Sequence, residues 1–446
     1  MDTTKILLKI MPSFLRKKIE DKKELRKILD NINWLTFERI FQMILGIFVM
    51  AWVARYLGPE NFGLMNYALA FVGLFAVLYK LGLDNIVVRN IVKNPKKEKD
   101  YLGTTFLLKS LGSILLIILT YIGITLVRPE TPILHLFVII VSIGFLFKTA
   151  ETVDLWFQSQ VLSKYRVYAK SVAFASSALL RIALIFLAAP LVFFVVVVAI
   201  EQVITAVGLF ILYHKKGRTP FKKWKFKTST AKDLLKDSWP LILSGIAITI
   251  NMKIDQVMIG KMIGDSALGI YSAAVKLSEA WYFIPTFIAI SVFPQLIKAK
   301  KKSEELYHKK LSYLYKSIIS LALVIAVIVT LSSKIIIRIL YGVEYMASAG
   351  ILSVHIWAGI FVFLGVIWSR WILIQNKQKL ITFSHISAAV MNVCFNLILL
   401  PVMSIYGAAL ASLLSYSLSS FIAILLYNPK TTFNLIFKSN KKIKKC

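Results

Sequence analysis

Residues 55–64 read Arg-Tyr-Leu-Gly-Pro-Glu-Asn-Phe-Gly-Leu, and residues 261–270 read Lys-Met-Ile-Gly-Asp-Ser-Ala-Leu-Gly-Ile. Each stretch has a basic residue, two others, Gly, four others, Gly and an aliphatic residue, and the copies lie 206 positions apart. Both fall between two long apolar runs, where glycine permits a tight turn that a side chain would obstruct. The pattern predicts matching turns in an internal repeat. The turn residues are Gly58, Gly63, Gly264 and Gly269.

The composition is that of an integral membrane protein. The chain has 446 residues, of which 58% are hydrophobic, and its mean hydropathy is +0.72. Apolar runs of about 20 residues, each long enough to cross a hydrocarbon core as a helix, recur from Trp34 to Tyr427. Because the runs have helical length, we expect an all-α integral membrane fold. Twelve spans are predicted, at approximately 33–56, 62–90, 101–127, 132–157, 168–189, 191–213, 238–260, 267–297, 311–333, 347–374, 380–402 and 405–427.

The distribution of charge predicts the orientation in the membrane. The 54 Lys and Arg residues give a formal net charge of +32, but they cluster in alternate gaps between the apolar runs rather than on one soluble domain. This pattern is typical of positive-inside topology rather than of nucleic-acid binding, and it places both termini in the cytoplasm. Two cysteines, one inside an apolar run and one at the last position, exclude a disulfide framework.

The longest gap divides the apolar runs into two sets of six. We expect a basic cytoplasmic segment at 1–31, a six-helix lobe at 32–213, a basic cytoplasmic linker at 214–237, a second six-helix lobe at 238–428 and a basic cytoplasmic tail at 429–446. An even number of crossings precedes the repeat, so the lobes are predicted to be parallel, pseudo-symmetric repeats around a central cavity. This arrangement is typical of transporters.

Charged residues deep inside the predicted spans are the candidate site, because each must face protein or water rather than lipid. The cations assigned to a substrate cavity are Lys253, Arg181, Lys148, Lys276 and Lys80. The anions assigned to ion coupling or charge pairing are Asp255, Glu201, Glu151, Glu279 and Asp84. Pairs three or four residues apart share a helix face. These pairs are Lys80 with Asp84, Lys148 with Glu151, and Lys276 with Glu279. Two interpretations stay open: neutralised pairs that lock helices together, or a hydrated cavity that attracts an anion.

Lys253 and Asp255 cannot form such a pair, since residues two apart on a helix point to roughly opposite sides. Lys253 shares a face with Gln256, and Asp255 shares one with Asn251. One face is expected to line the cavity and the other to contact a neighbouring helix or a coupling ion. Which face does which stays open.

The remaining charges and motifs do not indicate a functional site. Four charges near the inner span ends are expected to reach the headgroups. These are Arg39, Lys109, Lys316 and Arg370. The sequence has no Gly-x4-Gly-Lys-Ser/Thr phosphate loop, no metal-ligand cluster and no Ser/His/Asp set. We therefore expect a transporter rather than an enzyme, with no cofactor and no metal, driven by an ion or substrate gradient.

Several stretches resemble a known family. The first turn region, residues 51–63, resembles the signature of Wzx-type O-antigen and capsule repeat-unit flippases, which belong to the multidrug/oligosaccharidyl-lipid/polysaccharide flippase superfamily. Residues 253–260, 269–274 and 293–296 resemble the signature of the seventh and eighth spans in that family. Leu81-Gly-Leu-Asp84 with Arg89-Asn90 is similar to its second span.

The resemblance implies a function. Members of that family move an undecaprenyl-diphosphate-linked oligosaccharide from the inner to the outer leaflet of the bacterial inner (cytoplasmic) membrane, so the deep cations would attract the diphosphate or acidic sugars. It implies coupling to protons or sodium through Asp255 or Glu201. The implied partners are the lipid-linked oligosaccharide, membrane lipids, and the polymerase and chain-length proteins of the pathway, with no nucleic acid. A multidrug or cation exporter and a lipid II flippase of the same superfamily are the alternatives. The sugar composition, the coupling ion and the oligomeric state stay open.

Overall fold

The computed structural model describes residues 23–217, 219–375 and 377–427. Within these ranges the chain is helical and has no strand. The helices are α1 (Lys23–Leu74), α2 (Val77–Lys80), α3 (Asp84–Lys93), α4 (Glu98–Val127), α5 (Pro132–Lys148), α6 (Glu151–Ser159), α7 (Ser163–Phe186), α8 (Leu191–Lys216), α9 (Thr228–Met262), α10 (Asp265–Glu279), α11 (Phe283–Lys302), α12 (Glu304–Leu340), α13 (Ser348–His355), α14 (Ala358–Ile374) and α15 (Gln378–Tyr427). Most of the predicted basic segment at 1–31 and all of the predicted tail at 429–446 lie outside the described residues.

Nine stretches of the described residues are long and apolar enough to cross a membrane. One of them, Asn33–Lys93, has 61 residues and would extend for about 90 Å as a single helix, far beyond a hydrocarbon core of about 30 Å. Its backbone leaves helical geometry at Gly58, which lies between the first two predicted spans. Lys379–Leu425 is interrupted in the same way at Ser404, between the last two predicted spans. The number of twelve crossings stays a prediction.

The second and fourth predicted spans of each half are not continuous α-helices. Backbone N–H groups at these points donate to the carbonyl three residues earlier, as in a 3-10 helix, and the Ala150 N–H, for example, lies 3.1 Å from the Phe147 oxygen. Matching interruptions are at 75–76 and Ala280–Tyr282, and at 149–150 and 356–357, and the second span has a further one at 81–83. A 3-10 segment inside a longer helix often marks a hinge. The two halves therefore share two of their helix interruptions as well as their glycine motif.

The chain forms two compact units. Of the described residues, the first unit contains 23–53 and Phe75–Ile242, and the second contains Ala54–Leu74 and those from Leu243 to Tyr427. A cluster around Trp156 and Leu209 forms an apolar core in the first unit, and a cluster around Leu311 and Trp371 forms one in the second. Both copies of the glycine motif therefore belong to the second unit.

The two motif copies pack against each other. Gly58 and Gly264 have φ angles of +72° and +130°, a region in which a side chain is strained. The second glycine of each copy, Gly63 or Gly269, is required because there is no room for a side chain. A Cβ atom on Gly63 would lie 1.7 Å from the Asp265 carbonyl oxygen, and one on Gly269 would lie 1.9 Å from the Pro59 carbonyl oxygen. The absence of a side chain at the second glycine of each copy thus allows the backbone of the other copy to approach closely.

The predicted linker at 214–237 is held against the first unit. The Trp224 ring packs edge-on against Tyr213, with ring centroids 5.6 Å apart. The Lys227 ammonium lies 2.6 Å from the buried Asp100 carboxylate at the start of α4. Helix α9 then begins at Thr228, ten residues before the predicted seventh span. At least one linker lysine is therefore bound within the protein.

Candidate functional site

A polar cavity of about 230 Å³ lies inside the second unit. Residues of α1, α9 and α10 line it, and they are Asn66, Leu69, Ala70, Lys253, Gln256, Ser272, Val275, Lys276 and Glu279. Two of the cations predicted from the sequence, Lys253 and Lys276, thus lie in one cavity with one predicted anion, Glu279. The repeat motif adjoins this wall, because its second copy, residues 261–270, includes the start of α10.

The groups around this cavity suit an anionic ligand. The Lys276 ammonium lies 4.5 Å from the centroid of the Phe62 ring, a cation–π contact that holds the side chain in place. The buried Ser272 hydroxyl has no hydrogen-bond partner in the protein. Two lysine ammonium groups and one carboxylate line the cavity, and the ammonium groups can donate charge-assisted hydrogen bonds to a ligand with a negative charge.

Asp255 occupies a different environment from Lys253, although both lie on α9. The Asp255 side chain is 3% exposed. Its carboxylate accepts hydrogen bonds from the Tyr271 hydroxyl, from the Gln256 backbone N–H at 2.8 Å and from the Ser412 hydroxyl at 3.5 Å. All three donors are uncharged, so the negative charge of Asp255 is solvated by hydrogen bonds rather than by a bonded cation.

A network of buried charges lies in the first unit. The Lys109 ammonium is fully buried and lies 2.6 Å from the Asp84 carboxylate. Asp154 lies 2.8 Å from the Lys170 ammonium and 3.1 Å from the Arg166 guanidinium. Buried charges that are paired in this way hold the helices that carry them in fixed register. These cations of the first unit are therefore paired with carboxylates.

Arg181 and Glu201 form a second group in the same unit. The Arg181 guanidinium lies 3.3 Å from the Glu201 carboxylate, and it also donates to the Ser177 hydroxyl at 2.8 Å. Ser177 in turn donates to Glu201 at 2.7 Å. The sequence assigned Arg181 to substrate binding and Glu201 to ion coupling or charge pairing. The structure brings them together as one hydrogen-bonded triad between α7 and α8.

Two expectations for the first unit are wrong. Lys80 does not pair with Asp84, because the chain turns through positive φ at Leu81 and Gly82, and Asp84 binds Lys109 instead. Lys109 was expected to reach the headgroups, yet it is fully buried because Asp84 neutralises it. Lys80 itself is exposed.

The predicted pair of Lys148 and Glu151 is separated by a helix interruption. The turn at 149–150 lies between the two side chains, and the Lys148 ammonium lies 4.3 Å from the centroid of the Phe145 ring. Glu151 accepts a hydrogen bond from the Tyr79 hydroxyl at 3.0 Å. Both side chains thus contact aromatic residues of the first unit.

Sequence reasoning missed several partners of these groups. Lys170 and Arg166, which bind Asp154, lie at the inner edge of the fifth predicted span, where a basic residue is typical of positive-inside topology. Tyr271 directly follows the second motif copy, but nothing in its spacing points to Asp255. The sequence indicated only that a buried aspartate needs hydrogen-bond donors. It did not indicate which helix supplies those donors.

The model of the family described as polysaccharide biosynthesis protein matches residues 28–300. The chain belongs to this family. The matched range includes both glycine motif copies and every residue that lines the polar cavity. The resemblance to polysaccharide flippases that the motifs indicated is therefore confirmed.

Two relatives of this polysaccharide biosynthesis protein carry names that refer to transport. A Shigella flexneri protein named as an O-antigen transporter is 24% identical over 402 residues, which cover 86% of this chain and 94% of the relative. A Haloferax volcanii protein named as the low-salt glycan biosynthesis flippase Agl15 is 27% identical over 221 residues, 47% of this chain and 46% of the relative.

Solved structures of membrane transporters have the same fold as this polysaccharide biosynthesis protein. An inward-facing multidrug resistance MATE family transporter of the MOP superfamily superimposes with a TM-score of 0.70 at 13% identity, covering 93% of this chain and all of that one. The lipid II flippase MurJ superimposes with a TM-score of 0.69 at 14% identity, covering 90% of this chain and 88% of that one. The predicted class, an all-α, multi-pass membrane transporter fold, is confirmed.

Proposed function

We propose that this protein translocates a polyprenyl-diphosphate-linked oligosaccharide from the cytoplasmic to the outer leaflet of the inner membrane. Family membership and the transport-related names of the two relatives support the class of function. The observation that carries the substrate assignment is the polar cavity of the second unit, in which Lys253 and Lys276 face a single carboxylate. The protein performs no chemistry on the lipid.

The diphosphate is the group that this cavity fits best. A diphosphate is a compact anion with several acceptor oxygens, and each lysine ammonium has three donors. The Ser272 hydroxyl and the side-chain amides of Asn66 and Gln256 add uncharged donors. Glu279 limits the excess of positive charge, so that an anion is attracted without being held too tightly to leave.

The orientation and the partners complete the proposal. Both termini lie in the cytoplasm, so the basic connections face the leaflet in which the lipid-linked glycan is assembled. Translocation proceeds by alternating access and draws its energy from an ion gradient. The exported glycan is then consumed by the polymerase and chain-length proteins of a polysaccharide pathway.

Two alternatives use the same fold. A multidrug exporter would require a cavity that attracts organic cations, and the excess of lysine over carboxylate in the polar cavity opposes this. A lipid II flippase would bind the same diphosphate but a different glycan. The three substrates must therefore be compared in one assay.

The test uses the purified protein in liposomes. Translocation of a polyprenyl-diphosphate-linked oligosaccharide is followed with a membrane-impermeant lectin, and lipid II and a fluorescent organic cation are measured in parallel. We expect Lys253→Ala and Lys276→Ala each to slow translocation of the oligosaccharide at least about tenfold, because a hydrogen bond to a charged group contributes about 1.5–3 kcal/mol. The matched control is Lys334→Ala, which removes an exposed lysine of the same unit outside the cavity.

Three results would count against the proposal. Wild-type rates in both cavity variants would show that the lysines do not bind the diphosphate. Transport of the organic cation without transport of either lipid would favour the multidrug alternative. Faster transport of lipid II than of the oligosaccharide would favour the lipid II alternative.

A further inference from the structure

A second cavity in the same unit is larger than the polar cavity and differs from it in chemistry. Its volume is about 400 Å³, within the range of about 300–1,000 Å³ that is typical of ligand pockets. Residues of α9, α11, α12, α14 and α15 form its wall, together with the 3-10 turn Ala280–Tyr282. We call it the aromatic cavity.

The wall of the aromatic cavity is rich in rings and lacks charge. Tyr315, Phe361, Trp368 and Tyr416 contribute aromatic side chains. Of the described residues that line the cavity, none is Lys, Arg, Asp or Glu. A diphosphate or an acidic sugar would have no cation to bind here, so the chemistry of the wall disfavours an anionic ligand. An organic cation could pack on the ring faces, but an ammonium group offers no acceptor to the indole N–H.

Several buried polar atoms of this wall have no partner in the protein. They are the Asn251 side-chain oxygen, the hydroxyls of Tyr282 and Tyr315, Trp368 Nε1 and His385 Nδ1. The side chains of Asn251, Tyr315 and Trp368 are only 7%, 1% and 5% exposed. More than 90% of buried polar groups in proteins are paired, so five unpaired atoms around one cavity point to a partner from outside the chain.

The unpaired atoms also define what that partner must offer. The indole N–H can only donate a hydrogen bond, the amide oxygen can only accept one, and the tyrosine hydroxyl can do either. The ligand must therefore carry both donors and acceptors. An acyl chain carries neither, and it would leave all five atoms unpaired.

We propose that the aromatic cavity binds an uncharged hexopyranose ring of the transported oligosaccharide. A pyranose ring presents an apolar C–H face, which packs on aromatic rings whose faces carry partial negative charge. Its rim of hydroxyl groups supplies a donor and an acceptor at each position. The inference rests on the proposed function for the source of the ring, and it adds that the repeat unit contains a neutral sugar.

The cavity can be filled with little risk to the fold. Gly365 lines it, and a Cβ atom on Gly365 would meet no other atom within 4 Å. Gly365→Leu places a side chain in open space on α14, and leucine is a better helix former than glycine. Gly365→Ala is its matched control. Trp368→Phe removes the indole N–H while keeping a ring, and its control is Tyr341→Phe, at a buried tyrosine outside the cavity.

Binding is measured apart from transport. Saturation-transfer NMR on the full-length protein in nanodiscs is recorded with neutral methyl hexopyranosides and with methyl hexuronides. We expect saturation of the neutral sugars by the wild type, by Gly365→Ala and by Tyr341→Phe, and little saturation of the uronides. The signal should fall to background in Gly365→Leu, and the affinity should fall about tenfold in Trp368→Phe because one buried donor is lost.

Each outcome decides the sugar site separately from the proposed function. Lys253→Ala should lose translocation yet keep the sugar signal. A wild-type sugar signal without translocation of lipid-linked glycan would reject the proposed function and leave the sugar site standing. No wild-type signal with any neutral hexopyranoside, or a full signal in Gly365→Leu, would overturn the sugar site whether or not transport is observed.

Discussion

Arg55 lies at the start of the first motif copy, and its guanidinium caps a helix of the same unit. One of its nitrogens donates to the backbone carbonyl oxygens of Arg338 at 3.1 Å and Ile339 at 2.6 Å. These carbonyls belong to the last turn of α12, where backbone acceptors lack intrahelical donors and the helix dipole attracts a cation. The basic residue of the motif thus has a structural role.

The capping role predicts a loss of stability in Arg55→Ala. Two hydrogen bonds from a cation to orphan carbonyls would be lost, but the site is exposed, so we expect a cost of about 1 kcal/mol. Thermal unfolding of the detergent-purified protein measures it. Arg55→Lys, which keeps one charge-assisted bond, should lose less than Arg55→Ala. Equal unfolding temperatures for Arg55→Ala and the wild type would contradict the capping role.

The helices around the repeat motif owe their close approach to glycine. Because the Gly63 position lies against the Asp265 carbonyl and the Gly269 position against the Pro59 carbonyl, neither can accept a methyl group without movement of the backbone. The two copies are thus constrained reciprocally, each by the glycine of the other. The internal repeat in the sequence thus corresponds to a pseudo-symmetric contact between its two copies within one unit.

Gly63→Ala should therefore destabilise the protein strongly. Overpacking a tight contact costs about 1–3 kcal/mol or more, and here the clash is with backbone, which gives way less easily than a side chain. Expression and thermal unfolding of the purified protein measure the effect. Gly365→Ala is the matched control, since the new methyl group meets open space and a helical Gly→Ala change gains up to about 1 kcal/mol. Equal stability of the two variants would show that the contact at Gly63 is not tight.

The elements differ in how far the sequence determines them. Apolar length and the glycine pattern predicted the helical class, and Gly58 and Gly264 have the positive φ angles of turns. The partners of buried charges were not predictable. Asp84 binds Lys109, which lies 25 residues later in the sequence, because the turn at Gly82 separates Asp84 from Lys80. The sequence spacing alone favours a pair of Asp84 with Lys80. The interruptions at 149–150 and 356–357 lack proline, so no breaker residue marks them.

At the scale of the whole molecule, the charge pattern predicts that the C-terminus lies in the cytoplasm. Cys446 offers a direct test once Cys394 is replaced by serine. We expect a membrane-impermeant maleimide to label Cys446 only after the membrane of spheroplasts has been permeabilised, because Lys and Arg in the connections hold them on the cytoplasmic side. The control is Cys446→Ser, which should not be labelled. Labelling of intact spheroplasts would reverse the topology.

The proposed ion coupling also concerns the whole molecule, and the surroundings of the two candidate carboxylates separate them. Glu201 is paired with Arg181 at 3.3 Å, whereas the hydrogen bonds to Asp255 come from uncharged donors. For one coupled charge, a potential of about 100 mV supplies about 2.3 kcal/mol, which corresponds to about 50-fold in substrate distribution. We therefore expect an imposed proton or sodium gradient to accelerate translocation in liposomes.

Asp255→Asn should abolish this acceleration and leave the gradient-free rate and the unfolding temperature close to those of the wild type, because an amide fits the same hydrogen-bonded site. Glu201→Gln should keep the acceleration, although the loss of its pairing with Arg181 lowers stability. An ionophore that collapses the gradient provides the control for the wild type.

If wild-type translocation is indifferent to both gradients, ion coupling must be abandoned, and the substrate gradient alone drives the lipid across the membrane. If Glu201→Gln loses the acceleration while Asp255→Asn retains it, the roles of the two carboxylates are reversed.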